Sequence, residues 1–163
     1  VLPFLYSNQY VNFDENTKTV ALAKKLTKGK TEIEAVQEVY EYVIKNIVYD
    51  DEKAATVKSG YLPNVDDTLK TKKGICFDYA ALTTAMLRAR DIPCKLQIGY
   101  AGTVKHAWIS VYIRSKGWVD KAVEFSGESW SRMDPTFDSN SKDKENIQQY
   151  IGDDDNYSVQ FTR

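Results

Sequence analysis

The amino-acid sequence predicts an α+β fold, with helices in the first half of the chain packed on an antiparallel sheet formed by the second half. Segments with apolar residues at helical spacing come first, an Ala- and Leu-rich segment begins at Cys76, and short β-rich segments follow Pro93. Helices that precede strands favour separate layers over alternating strands and helices. With 163 residues, of which 42% are hydrophobic and 28% charged, residues 1–163 are expected to form a single domain with its own core.

Two helices are predicted before residue 50. The segment "VALAKKL" lies in an amphipathic stretch over residues 17–26, which Gly29 is expected to close. Thr31 and Glu34 form a capping-box pattern at the start of the second helix. Apolar residues then recur every three or four positions, so this helix is predicted to reach about Val48.

Residues 49–74 are polar and carry Gly60, Pro63 and paired aspartates, so they are predicted to form a long ordered loop. A loop of this length in a compact domain often has a function, and this one leads directly to Cys76. The next segment, "CFDYAALTTAMLRAR", has a helical composition, and Pro93 is expected to end the helix.

Strands are predicted after Pro93, in the four segments "CKLQIGYAG", "KHAWISVYIRS", "GWVDKAVEF" and "ESWSRMDPTF". These segments are rich in β-forming residues and are separated by turn residues, which predicts an antiparallel meander. A short helix is expected near residues 147–150, and "YSVQFTR" is expected to return as an edge strand.

The composition excludes several classes of protein. A formal net charge of −1 implies no basic face, so nucleic acid is not an expected partner. Two cysteines and one histidine are too few for an ordinary zinc site, and the acidic run at 153–155 lacks a calcium loop, so no metal or other cofactor is predicted. No apolar run approaches the roughly 18 residues of a membrane span. A chain that begins with Val1 is expected to be a processed product or a piece of a longer chain.

Cys76 is the first candidate catalytic residue. It follows Gly74 at the start of a predicted helix, where N–H groups and the helix dipole would lower the pKa of a thiol. The same amides could hold an oxyanion. A single cysteine is more commonly an inert packing residue, so both interpretations stay open on this feature alone. Cys94, just after Pro93, is expected to be a buried free thiol.

A thiol nucleophile needs a base and an acceptor that orients the base. His106, in "VKHAWISV", is the single histidine, and Asp134, in "SRMDPTFD", is predicted at a strand end. A cysteine on a helix start, a histidine on one strand and an aspartate on another is the order that a Cys-His-Asp triad would need. A structural histidine and an ordinary Asp-Pro turn would give the same pattern.

Three sequence blocks, "GICFDYAALTTAMLRAR", "HAWISV" and "MDPTF", together resemble the motifs of the transglutaminase-like superfamily over about residues 60–137. The resemblance implies a papain-like α+β core, with Cys76 at a helix N-terminus packed on the antiparallel sheet. It also implies that Cys76 attacks a protein or peptide amide, that His106 moves the proton and that Asp134 orients His106. An amine or water would then resolve the thioester.

Two departures from related families leave the second oxyanion donor unassigned. Animal transglutaminases have a tryptophan upstream of the cysteine and papain-type proteases have a glutamine, whereas here "LKTKKGI" precedes Cys76 and all three tryptophans follow it. Tyr61 is the candidate donor, although a tyrosine in a loop is more commonly a packing residue. Trp108 is either a wall of the cleft beside His106 or a core residue.

The expected function is thiol-dependent acyl transfer or hydrolysis on protein or peptide amides. The alternatives are a cysteine peptidase that acts on cell-wall or surface peptides, and a non-catalytic binding or scaffolding module on the same fold. The N-terminal helices and the "YLPNVDDTL" segment resemble bacterial members of the superfamily, many of which are exported. This resemblance implies a bacterial protein at the cell surface or outside the cell.

Overall fold

Helices and an antiparallel sheet occupy separate layers, which confirms the predicted α+β class. The computed structural model describes residues 2–8, 11–13, 17–58, 60–101, 104–126, 131–133 and 157–163. The first two helices are α1 (Lys18–Thr27) and α2 (Glu32–Asn46). Thr31 Oγ1 accepts from the Glu34 N–H at 3.2 Å and the Glu34 carboxylate accepts from the Thr31 N–H, so the predicted capping box is confirmed.

The predicted loop over residues 49–74 is wrong, because helices and a parallel strand pair occupy most of this segment. The elements are β1 (Val48–Tyr49), α3 (Asp51–Thr56), α4 (Val65–Thr71) and β2 (Lys73–Gly74). Asp50 caps α3 by accepting from the Lys53 N–H at 3.0 Å, and Asn64 caps α4 by accepting from the Asp67 N–H at 3.1 Å. The polar residues that suggest a loop are therefore helix caps and first-turn residues.

Five strands form the main sheet in the order β6-β5-β4-β3-β7, and every neighbouring pair is antiparallel. The meander and the returning edge strand are confirmed. The helix expected near 147–150 and the acidic run at 153–155 lie outside the described residues. The strands are β3 (Cys94–Ala101), β4 (Val104–Ile113), β5 (Gly117–Ser126), β6 (Ser131–Met133) and β7 (Tyr157–Thr162).

The central helix α5 (Cys76–Ala89) is buried along almost its whole length. One side packs against β3, β4 and β5, while α1, α2 and α4 cover other sides. A helix that is apolar nearly all round is typical of the interior of a domain. Its position makes the helix bearing Cys76 a direct neighbour of the strand bearing His106. The sheet residues that join the same core include Leu96, Ile98, Ala107, Ile109, Val123 and Phe125.

Two buried residues, Arg88 and Cys94, meet at the C-terminal end of α5. The Arg88 guanidinium donates to the Cys94 carbonyl at 3.1 and 2.7 Å and to the Tyr6 carbonyl at 2.8 Å, which ties the N-terminal segment to the helix. Cys94 is a buried free thiol, as predicted, and its Sγ lies 3.6 Å from the Thr84 hydroxyl. Burial raises the pKa of Cys94 to about 11, so this thiol is not a nucleophile at neutral pH.

Candidate active site

Cys76 is the first residue of α5, so the prediction that it begins a helix is confirmed. The side chain is nearly buried, with 6% of its surface exposed. Ile75 holds the extended conformation of an N-cap residue but carries no side-chain oxygen to cap the helix. Ile75 therefore caps none of the first-turn N–H groups with its side chain, and N–H groups at a helix start are donors of the kind that an oxyanion site uses.

Asp78 organises the start of α5. Its side chain is fully buried, and Oδ2 accepts from the Ile75 N–H at 2.9 Å. The Lys53 ammonium lies 2.9 Å from the same oxygen, and the Tyr61 hydroxyl donates to Oδ1. Gly74 is required beside this carboxylate, because a Cβ there would lie 2.6 Å from the Asp78 Cβ. A carboxylate in the first turn also complements the helix dipole. The two side-chain partners of Asp78 lie 25 and 17 positions away in the sequence.

Tyr61 is the candidate oxyanion donor from the sequence, and its hydroxyl is engaged by Asp78. Burial, and next the hydrogen bond to Asp78, raise the pKa of Tyr61 far above its ordinary value, and the charges of Asp67 and Asp50 add to the effect. A neutral tyrosine has one hydroxyl hydrogen to donate. The oxyanion role stays a prediction, and it requires the bond to Asp78 to break.

His106 is paired with a carboxylate on the neighbouring strand. Its Nδ1 is in hydrogen-bond contact with Glu124 Oε1, and both residues are 4% exposed. The contact crosses from β4 to β5, where Glu124 pairs in register with Trp108. Asp134, the predicted acceptor, lies outside the described residues, so its role stays a prediction. The structure thus supplies an acceptor for His106 that the sequence interpretation missed.

A signal for Glu124 is present in the sequence. In the β4–β5 hairpin, Val111 pairs with Val119 and Ile109 pairs with Val123, so two residues of β4 correspond to four of β5. This bulge shifts the register by an even number of residues and preserves which side chains share a face. Pairing the residues of β4 and β5 one by one, outward from the turn between Ile113 and Gly117, would therefore have placed Glu124 on the same face as His106.

Trp108 lies two residues after His106 on β4 and is 1% exposed. Its indole N–H donates to Gln97 Oε1 at 2.9 Å, on the neighbouring strand β3. This hydrogen bond satisfies the one polar atom of a buried tryptophan. The side chain is fixed beside His106, while its role as a cleft wall stays a prediction.

Tyr49 on β1 belongs to the surroundings of Cys76. It pairs in register with Gly74, which precedes the helix that Cys76 begins. Burial, then the charge of the Cys76 thiolate, and then Asp51 raise the pKa of Tyr49 to about 12. Tyr49 therefore stays neutral beside the thiol throughout the physiological pH range.

A pocket of about 610 Å³ opens beside Lys53 and Tyr61. The residues that line it are mostly polar or charged, with both signs of charge present. In the part of the chain that the structure describes, no group of three His, Cys, Asp or Glu side chains could hold a metal ion. None of the helices among those residues is long and apolar enough to cross a membrane. The pocket residues are Asp50, Lys53, Tyr61, Leu62, Asn64, Asp67, Thr68, Lys70, Thr71 and Lys73.

The family model of the transglutaminase-like superfamily matches residues 20–135. The match covers most of the chain, and the chain belongs to this superfamily. A UPF0252 protein of Methanocaldococcus jannaschii is 38% identical over 95 residues, which make up 55% of this chain and 27% of that protein. A UPF0252 protein of Archaeoglobus fulgidus is 34% identical over 96 residues, or 50% of this chain and 30% of that protein. The chain thus spans less than a third of these curated relatives.

Solved structures share the fold, among them those of two candidate proteases. The crystal structure of a candidate cysteine protease from Cytophaga hutchinsonii has a TM-score of 0.58 at 26% identity, and covers 78% of this chain and 41% of that chain. The structure of a candidate protease from Parabacteroides distasonis has a TM-score of 0.51 at 19% identity, and covers 73% of this chain and 28% of that chain. The second comparison shows a shared fold alone. The domain therefore has the α+β fold of cysteine-protease-like proteins.

Proposed function

We propose that this domain is a thiol-dependent enzyme that acts on protein or peptide amides, with Cys76 as the nucleophile and His106 as the base. The observation that carries the proposal is the buried contact between His106 Nδ1 and Glu124, on two strands that pack against the Cys76 helix. A base held by a buried acceptor is what a thiol nucleophile needs. Membership of the transglutaminase-like superfamily supports the same chemistry.

The first half of the reaction forms a thioester. Glu124 accepts the Nδ1–H of His106, so Nε2 keeps its lone pair. Nε2 takes the proton of Cys76 Sγ as the sulfur attacks the carbonyl carbon, and the carbonyl π electrons move to oxygen. The N–H groups at the start of α5 stabilise the oxyanion. The carbonyl then re-forms, the C–N bond breaks, and the departing nitrogen takes the proton from His106.

The second half resolves the thioester. Water or a primary amine loses a proton to His106 Nε2 and attacks the carbonyl carbon, and the C–S bond breaks. Sulfur then recovers the proton from His106, and the product is a carboxylic acid or a new amide. The similarity to a candidate cysteine protease favours water as the acceptor, so peptide hydrolysis is the first activity to seek.

A non-catalytic binding module is the second candidate function. The observation that favours it is the low exposure of Cys76, at 6%, which leaves little of the side chain open to a substrate. A module of this kind would carry an ordinary thiol, whereas an enzyme would carry one activated by His106.

The test is an incubation of the purified domain with a mixture of unfolded proteins and a labelled primary amine, followed by mass spectrometry. New N-termini indicate hydrolysis of the chain, a gain of about one mass unit at glutamine indicates deamidation, and incorporated amine indicates transfer. We expect Cys76→Ala and His106→Ala to abolish the activity while circular dichroism shows an intact fold. Unchanged turnover in either variant would exclude this mechanism.

A further inference from the structure

The cluster of Lys53, Tyr61 and Asp78 lies at the start of α5, the helix that Cys76 begins, and the proposed mechanism assigns it no step. We propose that Lys53 and Tyr61 act through Asp78 as positioning residues for Cys76: they fix the start of α5 and cancel the charge of the buried carboxylate that shares the first turn with the thiol. This inference rests on the proposed function, because it assumes that Cys76 reacts as a thiolate.

Geometry is the first support for this role. Asp78 accepts from the Ile75 N–H at 2.9 Å, so it fixes the backbone of the residue that immediately precedes Cys76. The carboxylate is itself fixed from outside the helix by Lys53 at 2.9 Å and by the Tyr61 hydroxyl. A displacement of Asp78 would therefore move the residue from which the nucleophile extends.

Charge is the second support. Asp78 lies in the first turn of α5 with Cys76 and is fully buried, so its negative charge opposes the formation of a thiolate there. The Lys53 ammonium is the positive charge that compensates the carboxylate. Without it, the carboxylate would be left buried and uncompensated.

Lys53 is held in place by its own helix, α3, and by the ring of Tyr61. Its backbone N–H donates to the cap residue Asp50 at 3.0 Å, at the start of α3. Its ammonium lies 4.5 Å from the centre of the Tyr61 ring, which also packs edge-on against Phe77. A lysine side chain has several rotatable bonds, so these contacts reduce the entropy that the ion pair with Asp78 would otherwise cost.

Other titratable groups flank this end of the helix. Tyr49 on β1 stays neutral below its pKa of about 12, so it carries no charge that competes with Lys53 at neutral pH. Lys73 on β2 is exposed, and water weakens its effect on the thiol. His106 on β4 is paired with Glu124. Asp67 on α4 lies on the pocket side, where its charge acts on Tyr61.

The experiment measures the rate of Cys76 alkylation by iodoacetamide from pH 5 to pH 10, with the modified residue identified by mass spectrometry. We expect Lys53→Met to raise the apparent pKa of this reaction by about one unit, so that the rate at pH 6 falls about tenfold. Lys53→Arg retains the charge and should restore the wild-type profile. Lys53→Met combined with Asp78→Asn removes both charges and should also restore it.

The matched control is Lys70→Met, because Lys70 lines the same pocket and forms no ion pair with Asp78. Its profile should match the wild type within about twofold. Tyr61→Phe removes one of the three donors to Asp78 and should shift the profile in the direction of Lys53→Met by a smaller amount. A merely structural cluster would lower the melting temperature in Lys53→Met and leave the alkylation profile in place, which would overturn the inference.

The outcomes separate this inference from the proposed function. If the wild-type thiol is activated through His106 and Lys53→Met leaves the profile unchanged, the positioning role fails alone. If the wild-type thiol has an ordinary pKa and His106→Ala does not change it, the proposed function fails and the positioning role fails with it. A thiol that iodoacetamide does not reach at any pH would also refute both, because it could not attack a peptide.

Discussion

Glu124→Gln is expected to disable the base while leaving His106 in place. The Glu124 carboxylate only accepts, so it keeps the hydrogen of His106 on Nδ1 and the lone pair on Nε2. A glutamine side chain of the same shape can donate to Nδ1 through its amide group. The imidazole would then carry its hydrogen on Nε2, and it could not take the proton of the Cys76 thiol.

The size of the effect follows from the burial of the pair. Proton transfer from Cys76 makes His106 an imidazolium beside Glu124, and both residues are 4% exposed. Unit charges about 4 Å apart interact by about 4 kcal/mol at an effective dielectric constant of about 20. This energy corresponds to about three powers of ten in rate. A loss of about 10²- to 10⁴-fold is therefore expected.

The assay is the rate of Cys76 alkylation at pH 6, followed by amide turnover once a substrate is known. Asp134→Asn is the matched variant, because the resemblance assigns the orienting role to Asp134. We expect Glu124→Gln to lose most of the rate and Asp134→Asn to retain it within a few-fold. A rate that survives in Glu124→Gln and collapses in Asp134→Asn would refute the reasoning and give the orienting role to Asp134.

Two further predictions concern stability. Gly74→Ala should lower the free energy of unfolding by about 1–3 kcal/mol, because the new Cβ would lie 2.6 Å from the Asp78 Cβ. Urea denaturation measures this loss, with Lys73→Ala, at an exposed neighbouring position, as the control. Equal urea midpoints for the two variants would contradict the prediction. For Cys94, burial raises the pKa from 9.0 to about 11, so the folded protein keeps a proton that the unfolded chain releases between these values. The stability that Cys94 contributes is complete below pH 9 and is lost as the pH rises towards 11. Over that range wild type should lose about 2–3 kcal/mol more than Cys94→Ala, and parallel pH profiles would rule this out.

Much of the fold is predictable because its signals are local. The Thr31 capping box, the helix start at Cys76 and the alternating segments after Pro93 each depend on neighbouring residues, and the structure contains all of them. The helices α3 and α4 were missed for a local reason as well. Their caps, Asp50 and Asn64, belong to residue types that also favour turns, and helices of six and seven residues show little apolar periodicity.

The sequence by itself determined the order of helices and strands, the helix start at Cys76 and the motifs of the superfamily. The tertiary structure alone decided which carboxylate His106 contacts and which side chains surround Asp78. The physical reason is that these contacts join residues 17 to 25 positions apart. Strand register determines the first contact, and the packing of α3 and its following segment against α5 determines the second.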